Sequence, residues 1–311
     1  MHLIRGLAHL KPLKNGCVLS IGNFDGVHTG HRKVIVKLSA QGRRRNLPVV
    51  VMVFEPQPLE FFLGGNAPSR LMRLREKVIQ FKSLPIDKVL VVKFNQSMAN
   101  YQAEDFITHY LVKKLNVKHL IIGDDFHFGK ARCGNFAMLK EKGKLFGFSV
   151  EDTNSHYVED HRVSSTLIRD ALVSGDLSKA KQLLGRDYSV CGRVAHGNKR
   201  GRTIGFPTAN IRMFRKNTPI TGVFAVTMTG IGDKEIQGVA NVGTRPTVDG
   251  GNRVILETHL FDFNQDIYGQ YVEVHFKQKI RDEIRFNSID ELKTQIEKDI
   301  ITAKQIFTHL T

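Results

Sequence analysis

Apolar and polar residues follow two different rhythms along this chain. Before about residue 187, short unbroken apolar runs separate longer stretches with helical spacing. The runs at 18–21, 49–54, 88–92, 119–122 and 148–150 predict strands, and the stretches near 29–45, 70–83, 102–115 and 134–146 predict helices. Strands alternating with helices argue for a parallel sheet with helices on both faces. The runs VVVMVF and HLIIG are apolar throughout, as strands covered on both sides should be. Two more helices close this half. Val163-Ser164-Ser165-Thr166-Leu167-Ile168-Arg169 opens one, and 176–184 forms the other, with Gly185 as its stop.

From 187 onward the period drops to two. In Tyr271-Val272-Glu273-Val274-His275-Phe276 the residues Val272, Val274 and Phe276 share one face. Similar strands are expected at 189–194, 222–229, 236–242 and 253–261. Short strands joined by Gly-rich connections suggest a small antiparallel barrel. A final helix begins at Ser288, where Ser288 and Glu291 make a capping box. Its stripe of Ile289, Leu292, Ile296, Ile300 and Ala303 should pack on the barrel. The fold class is thus α/β plus β, with domains at 1–186 and 187–311.

Composition adds limits. The 311 residues are 41% apolar and 24% charged, ordinary for a globular protein and long enough for two cores. No apolar run reaches membrane-spanning length, and the start MHLIRGLAHLKPLKNG does not read as a signal peptide. Cys17, Cys133 and Cys191 are odd in number and far apart, which fits a reducing cytoplasm and no disulfide framework. The net charge of +16 lies mostly before residue 187, with one compact cluster at Arg43-Arg44-Arg45 on the exposed end of the first helix. Such charge suits nucleic acid or polyphosphate substrates. No nucleic-acid module is recognisable, and aromatics are not interleaved with the basic residues as in a stacking platform. Polyphosphate substrates are therefore the favoured reading, with no obligate nucleic acid.

The most telling segment is Gly22-Asn23-Phe24-Asp25-Gly26-Val27-His28-Thr29-Gly30-His31, directly after the first long strand. A strand here empties through a tight turn into a helix. Helix N-termini offer unpaired N–H groups and positive potential, so they attract phosphate. His28 and His31, three apart, fall on neighbouring positions of one helix face. Gly30 lacks a Cβ, so a flat group could approach the backbone closely. The pattern fits a nucleoside triphosphate with imidazoles aimed at its phosphates. HxxH as half a zinc site lacks a third ligand at suitable spacing. A P-loop or dinucleotide fingerprint is absent from this turn. In parallel sheets ligands sit at the carboxyl ends of strands. The 22–31 turn, Phe54-Glu55-Pro56-Gln57-Pro58 and Gly123-Asp124-Asp125-Phe126 should therefore converge on one cleft.

A second constellation is GRVAHGNKRGRTIGFPTAN at 192–210. A flexible, basic, Gly-rich loop can wrap phosphates. It ends in Thr208 and Asn210, hard oxygen donors suited to Mg²⁺ that keeps waters and phosphates as its other ligands. A solvated basic loop is the plain alternative. In the strand at 253–261, Ile255, Glu257, His259 and Phe261 share a face. Glu257 there is either a general base for phosphoryl transfer or half of a structural ion pair with Arg281 or Arg285.

The HxGH turn resembles the nucleotidylyltransferase superfamily. Taken with FEPQP, GDDFHFGKARCG, VSSTLIR, GDLSKAKQLLGRDY, the loop ending in PTAN, GVFAV, GVANVGTRPTV, ETHLFDFNQDIYG and IRDEIRF, the chain resembles the bacterial bifunctional riboflavin kinase/FAD synthetases over nearly its whole length. The resemblance implies a Rossmann-like nucleotidylyltransferase sheet followed by a riboflavin kinase barrel. It implies phosphorylation of riboflavin by ATP to FMN in the second module. It also implies adenylylation of FMN by a second ATP in the first, giving FAD and pyrophosphate, with Mg²⁺ in both. The partners are then these small molecules, with no membrane and at most a weak homo-oligomer. Carried over, His28 and His31 stabilise the triphosphate, and Asn23, Asp25 and Gly30 shape the turn around it. Ser164, Thr166 and Arg169 match a second phosphate-binding motif, and Asp125, Phe126 and Phe128 lie near the flavin. In the kinase module Gly197 and Arg202 belong to the ATP loop, Thr208 and Asn210 hold Mg²⁺ and phosphates, Glu257 is the base, and Arg281 closes over the flavin. The alternatives are a chain that keeps only one of the two activities, or a flavin- or nucleic-acid-binding protein.

Overall fold

The computed structural model describes residues 1–123, 125–153, 157–158, 161–196, 205–215, 217–246 and 252–310. They form two compact units. The first comprises Met1–Pro68 and Arg73–Val163, and the second Ser69–Met72 and Ser164–Thr311.

The first unit is built on β1 (His2–Arg5), β2 (Cys17–Ile21), β3 (Val49–Glu55), β4 (Lys88–Lys93), β5 (Val117–Ile122) and β6 (Ser149–Asp152). All neighbours pair in parallel, in the order β1-β4-β3-β2-β5-β6. Five of the six strands were expected from apolar runs. β1 was not, because three of its four residues are exposed and it carries no apolar signature. Helices α1 (Thr29–Arg45), α2 (Pro58–Leu63), α3 (Leu74–Lys82), α4 (Gln96–Ala99), α5 (Ala103–Asp105) and α6 (Phe136–Phe146) connect the strands, and α5 runs on as a π-helix at Phe106–Lys114. A two-stranded ribbon, β7 (Tyr157–Val158) with β8 (His161–Arg162), completes the unit.

Both faces of the sheet are covered. On one, Leu38 of α1 packs with Val18, Val49 and Ile121. On the other, Phe106, Ile107, Leu111 and Leu139 cover Leu19, Ile21, Val50 and Met52. Each such side chain, fully buried, contributes about 1.5–3 kcal/mol. The sheet also sets the site. From β2 the chain moves through α1 to β3 on one side, whereas β5 lies on the other side of β2. The strand order reverses there, and the carboxyl ends of β2 and β5 border the crevice where such sheets take ligands.

The second unit begins with α7 (Ser165–Ser174) and α8 (Leu177–Leu184), which Gly185 ends in the left-handed region at φ 71°. Three arginines hold the Ser69–Met72 segment in this unit. Arg169 Nε donates to the Ser69 carbonyl at 2.6 Å, Arg215 Nη1 to the Arg70 carbonyl at 3.3 Å, and Arg186 Nη2 lies 3.6 Å from Met72 Sδ. A closed antiparallel barrel follows in the order β10-β13-β12-β11-β14-β9. Its strands are β9 (Tyr188–Ala195), β10 (Ala209–Arg212), β11 (Gly222–Thr229), β12 (Ile236–Pro246), β13 (Asn252–Leu260) and β14 (Tyr271–Arg281). β10 was read from sequence only as the end of a loop. Val190, Val194, Phe224, Val226, Leu256, Val272, Val274 and Phe276 are buried at alternating strand positions.

The terminal helix α9 (Ile289–Leu310) covers part of the outside, where Ala303 and Phe307 pack on Val223, Ala225, Val239 and Phe261. Its cap differs slightly from the expected box. The Glu291 N–H donates to Ser288 Oγ at 3.1 Å, but the Glu291 carboxylate accepts from the N–H of Asn287 rather than of Ser288. Ile289, expected in the packed stripe, is 66% exposed, because the helix meets the barrel only through its later turns.

His119 on β5 is a buried polar group in this sheet. Its Nδ1 lies 2.7 Å from Ser149 Oγ and its Nε2 3.1 Å from Glu151 Oε2. Burial, with the charge of Arg45, pushes the imidazole below its ordinary 6.5, against the pull of Glu151. The folded form therefore prefers the neutral ring. The stabilising effect is complete above pH 6.5 and fades as pH falls below it, because the unfolded chain takes up the proton first. His119→Gln should flatten that decline. Denaturant midpoints at about pH 5.5 and about pH 7.5 measure it, and the parent protein should lose more between them than the variant.

Candidate functional sites

At the end of β2 the Gly22 N–H is held by the Met52 carbonyl at 3.2 Å, and the chain then reverses sharply. Phe24, Gly26 and Val27 all sit in the left-handed region, at φ 48°, 83° and 42°. For Phe and the β-branched Val this costs on the order of 1–3 kcal/mol each, so surrounding contacts must hold the turn. Phe24 is buried edge-on against Phe81 of α3, with centroids 5.8 Å apart. Val27 is fully buried and Asp25 is 2% exposed. Lys77 Nζ reaches the Asn23 carbonyl at 2.5 Å.

His28 is not inside the helix, as its spacing from His31 suggested. It is the N-cap of α1, in extended conformation, and its Nδ1 accepts the His31 N–H at 3.3 Å. The two imidazoles still come together, stacked at 3.5 Å with 17° between planes. With Nδ1 accepting, the neutral His28 ring carries its proton on Nε2, which is then a donor. Thr29, Gly30 and His31 form the first turn, whose N–H groups have no intrahelical acceptors. Two imidazoles and a helix N-terminus thus meet at the switch point of the sheet, an arrangement suited to polyphosphate.

The loop after β5 lies at the same sheet edge. Asp125 is exposed there. Phe126 stacks on Phe128 at 5.6 Å, and Phe128 lies 5.6 Å from Phe106. Phe128 is 8% exposed, so it serves as a buried backing for Phe126. Backbone bonds in both directions between Phe128 and Gly134 close the loop. A Cβ on Gly134 would stand 2.6 Å from the Phe128 ring, so only glycine fits.

In the second unit, Ser164 is the N-cap of α7 and its Oγ accepts the Leu167 N–H at 3.2 Å. Thr166 is exposed on the first turn, and Arg169 is anchored through Nε to Ser69. The barrel places further predicted residues in one row. Across β12, β13 and β10, Asn241 is in register with Glu257, and Glu257 with Asn210. Residues in register share a face, with Cβ atoms about 4.5–5.5 Å apart. The flanking Leu256 and Thr258 are buried, which leaves Glu257 half-buried on the outer face. Thr208 lies two residues before Asn210, and His259 anchors the approach to it, with Nδ1 2.9 Å from the Pro207 carbonyl.

Asn241 and Glu283 were missed from sequence. Asn241 Nδ2 donates to Glu283 Oε1 at 3.3 Å, and the Glu283 carboxylate lies over Gly243. The cross-strand register brings Asn241 beside Glu257, and Glu283 joins through its bond to Asn241. Arg281 was expected over a ligand and also weighed as an ion-pair partner of Glu257. It is bound to Asp299 of α9, with Nε at 2.9 Å and Nη2 at 2.7 Å. Gly197 and Arg202 lie outside the described residues. Among the described residues no cluster of three or more His, Cys, Asp or Glu could hold a metal. The Thr208 hydroxyl and Asn210 amide fit Mg²⁺ by their chemistry, as hard oxygen donors beside a carboxylate.

A parallel sheet with a basic helix N-terminus at its switch point, joined in one chain to a barrel bearing a carboxylate between two amides, defines a two-module transferase of phosphorylated ligands. Comparison with known proteins gives the family. The FAD synthetase family model matches residues 10–167 and the riboflavin kinase model residues 184–307. The bifunctional riboflavin kinase/FMN adenylyltransferase of Haemophilus influenzae is 53% identical over 307 residues, covering 99% of both chains. That of Escherichia coli strain K12 is 49% identical over 308 residues, covering 99% of this chain and 98% of its own. A solved Streptococcus pneumoniae structure titled macrolide-efflux protein is 31% identical, with a TM-score of 0.81 over 96% of this chain and 97% of that one. No helix among the described residues is long and apolar enough to cross a membrane. The chain belongs to the bifunctional riboflavin kinase/FMN adenylyltransferase family. It makes FMN from riboflavin and FAD from FMN, with ATP as co-substrate.

Gly134→Ala should cost about 1–3 kcal/mol by driving a methyl into the Phe128 ring. A urea titration gives the loss, and limited proteolysis should show earlier cutting within 123–134.

Proposed function

We propose that the two activities are divided between residues 1–186, which transfer the adenylyl group, and residues 187–311, which phosphorylate riboflavin. The observation that carries this reading is the pair of constellations, one in each unit: stacked imidazoles at the start of α1, and a carboxylate between two amides on the barrel.

In the first constellation, ATP lays its triphosphate against the first turn of α1. His28 Nε2–H, the His31 ring and the positive end of the α1 dipole stabilise the charge that builds as the FMN phosphate oxygen attacks the α-phosphorus. The bond to the β-phosphate breaks and pyrophosphate leaves. No covalent intermediate with the protein is needed, since FMN is itself the nucleophile. Positioning and preorganised charge supply the rate. Asn23, Asp25 and Gly30 shape the turn. Ser164, Thr166 and Arg169, at the start of α7 in the second unit, are proposed as phosphate-binding residues on the resemblance of their motif. The isoalloxazine ring takes the Asp125–Phe128 side, with Phe126 as the stacking surface.

In the second constellation, Glu257 accepts the proton of the ribityl hydroxyl as its oxygen attacks the γ-phosphorus of ATP. The bond from that phosphorus to the β-phosphate oxygen breaks, and ADP leaves. Thr208 and Asn210 would hold Mg²⁺, which when bound neutralises charge on the phosphates. Gly197 and Arg202 are proposed for the ATP loop. Arg281 is proposed to border the flavin from its place against α9. The three free cysteines suit a cytoplasmic enzyme. Self-association is proposed to be at most weak.

The test separates the modules. Glu257→Gln should lower FMN formation about 10²–10⁴-fold and leave FMN-to-FAD conversion unchanged. His31→Ala should lower adenylylation about 10²–10³-fold and leave the kinase step unchanged, so FMN accumulates. Chromatography of a time course with riboflavin, ATP and Mg²⁺ reads both. If either change cripples both steps, the assignment of one constellation to each activity is wrong.

A further inference from the structure

Helix α3 turns one face toward the 22–32 segment. Its contacts recur at helical spacing, from Lys77 to Gln80 and Phe81. Lys77 is 1% exposed, a burial that Lys almost never shows without a specific partner, and its Nζ meets the Asn23 carbonyl at 2.5 Å. Gln80 Oε1 accepts from Arg32 Nη2, on the first turns of α1, at 2.8 Å. The Phe81 ring receives Phe24 edge-on. The segment so gripped is the one with three left-handed residues, which could not hold its shape unaided.

Asn23 precedes the first of those residues. The carbonyl and N–H of a trans peptide point opposite ways. Fixing the Asn23 carbonyl on an ammonium therefore turns the Phe24 N–H away from α3. A rotation of that peptide would propagate through Gly26 and Val27 to His28, which both caps α1 and stacks on His31. Displacement by about 1 Å of groups that must meet a reacting phosphate can cost 10²-fold in rate.

We propose that Lys77 is a positioning residue for adenylyl transfer. Through the Asn23 carbonyl it sets the turn that carries His28 and His31, and so governs the nucleotide side of the site rather than the flavin side. This rests on the assignment of those histidines to the triphosphate. Lys77 does not touch the reacting atoms, and Gln80 with Arg32 is the second strut of the same brace.

The test uses the full-length enzyme with Mg²⁺-ATP and FMN. Lys77→Met should raise KM for ATP in the adenylyl step about tenfold or more, with KM for FMN within about twofold of the parent. Lys77→Arg, which keeps a cation and donors at that reach, should recover most of the loss. Riboflavin phosphorylation by the same preparations should stay unchanged and reports a folded chain. Should Lys77→Met not fold, Gln80→Glu keeps an acceptor on Arg32 but alters the second strut, and Gln80→Leu removes it at the partly buried Arg32 rather than at Lys77. Gln80→Leu should raise KM for ATP about threefold. An unchanged KM for ATP in Lys77→Met, or in Gln80→Leu where Lys77→Met does not fold, overturns the proposal. So does a parallel rise in KM for ATP and FMN, which would mark a merely structural role. His31→Ala runs alongside. If it leaves adenylylation intact, the assignment of the histidines fails. If it abolishes the step while Lys77→Met does not change KM for ATP, only the role of Lys77 fails.

Discussion

The first unit depends on how the chain reverses between β2 and α1. A strand buried along its whole length must hand over within seven residues to a helix whose start lies at the sheet edge. Ordinary turn geometry does not make that reversal here. Phe24, Gly26 and Val27 enter the left-handed region, and two of them carry side chains that disfavour it. The cost is met by burial, with Phe24 driven against Phe81 and Val27 excluded from water. The same reversal places an N-cap histidine and the first turn of α1 at the crevice. Strain and ligand chemistry are thus two aspects of one short segment.

The barrel solves a different problem by simpler means. A small closed barrel fills its interior with side chains, so nothing else fits inside. Chemistry must then be placed on the outer face, where every second residue of each strand points. α9 covers part of that face with Ala303 and Phe307. The row of Asn241, Glu257 and Asn210 lies on strands rather than loops, which gives the carboxylate a fixed direction. Arg281, tied to Asp299, belongs to the joint between barrel and helix as much as to the site.

How much of this could be read in the sequence followed from the length scale of each signal. Apolar runs such as VVVMVF marked the buried parallel strands, and clean alternation in 271–276 marked the barrel. β1 was invisible because an exposed edge strand of four residues has no pattern to show. β10 was hidden inside a motif read for its chemistry. His28, His31, Thr208, Asn210 and Glu257 stood out because their residue types were unusual for their places. Lys77, Asn241 and Glu283 did not. Lys77 sits in an ordinary amphipathic helix, and only tertiary packing shows it buried. The pairing of Asn241 with Glu257 exists only in the barrel register. The Arg281–Asp299 ion pair was not read either, because nothing local pointed to a partner eighteen residues on.

The contrast between the closed barrel and the open sheet bears on how the chain behaves in a crowded solution. Closure leaves the barrel without an unpaired strand, so no foreign strand can add to it. The six-stranded sheet does have borders, at β1 and β6. Each is only four residues long. β1 carries His2 and Arg5, and β6 carries Glu151 and Asp152. Short borders with fixed charge make poor templates for a second molecule, and the two carry opposite kinds of charge. A change that lengthened either border, or replaced its charges with Val or Ile, would touch neither the turn before α1 nor the Asn241–Glu257–Asn210 row. It would nonetheless create a path to aggregation.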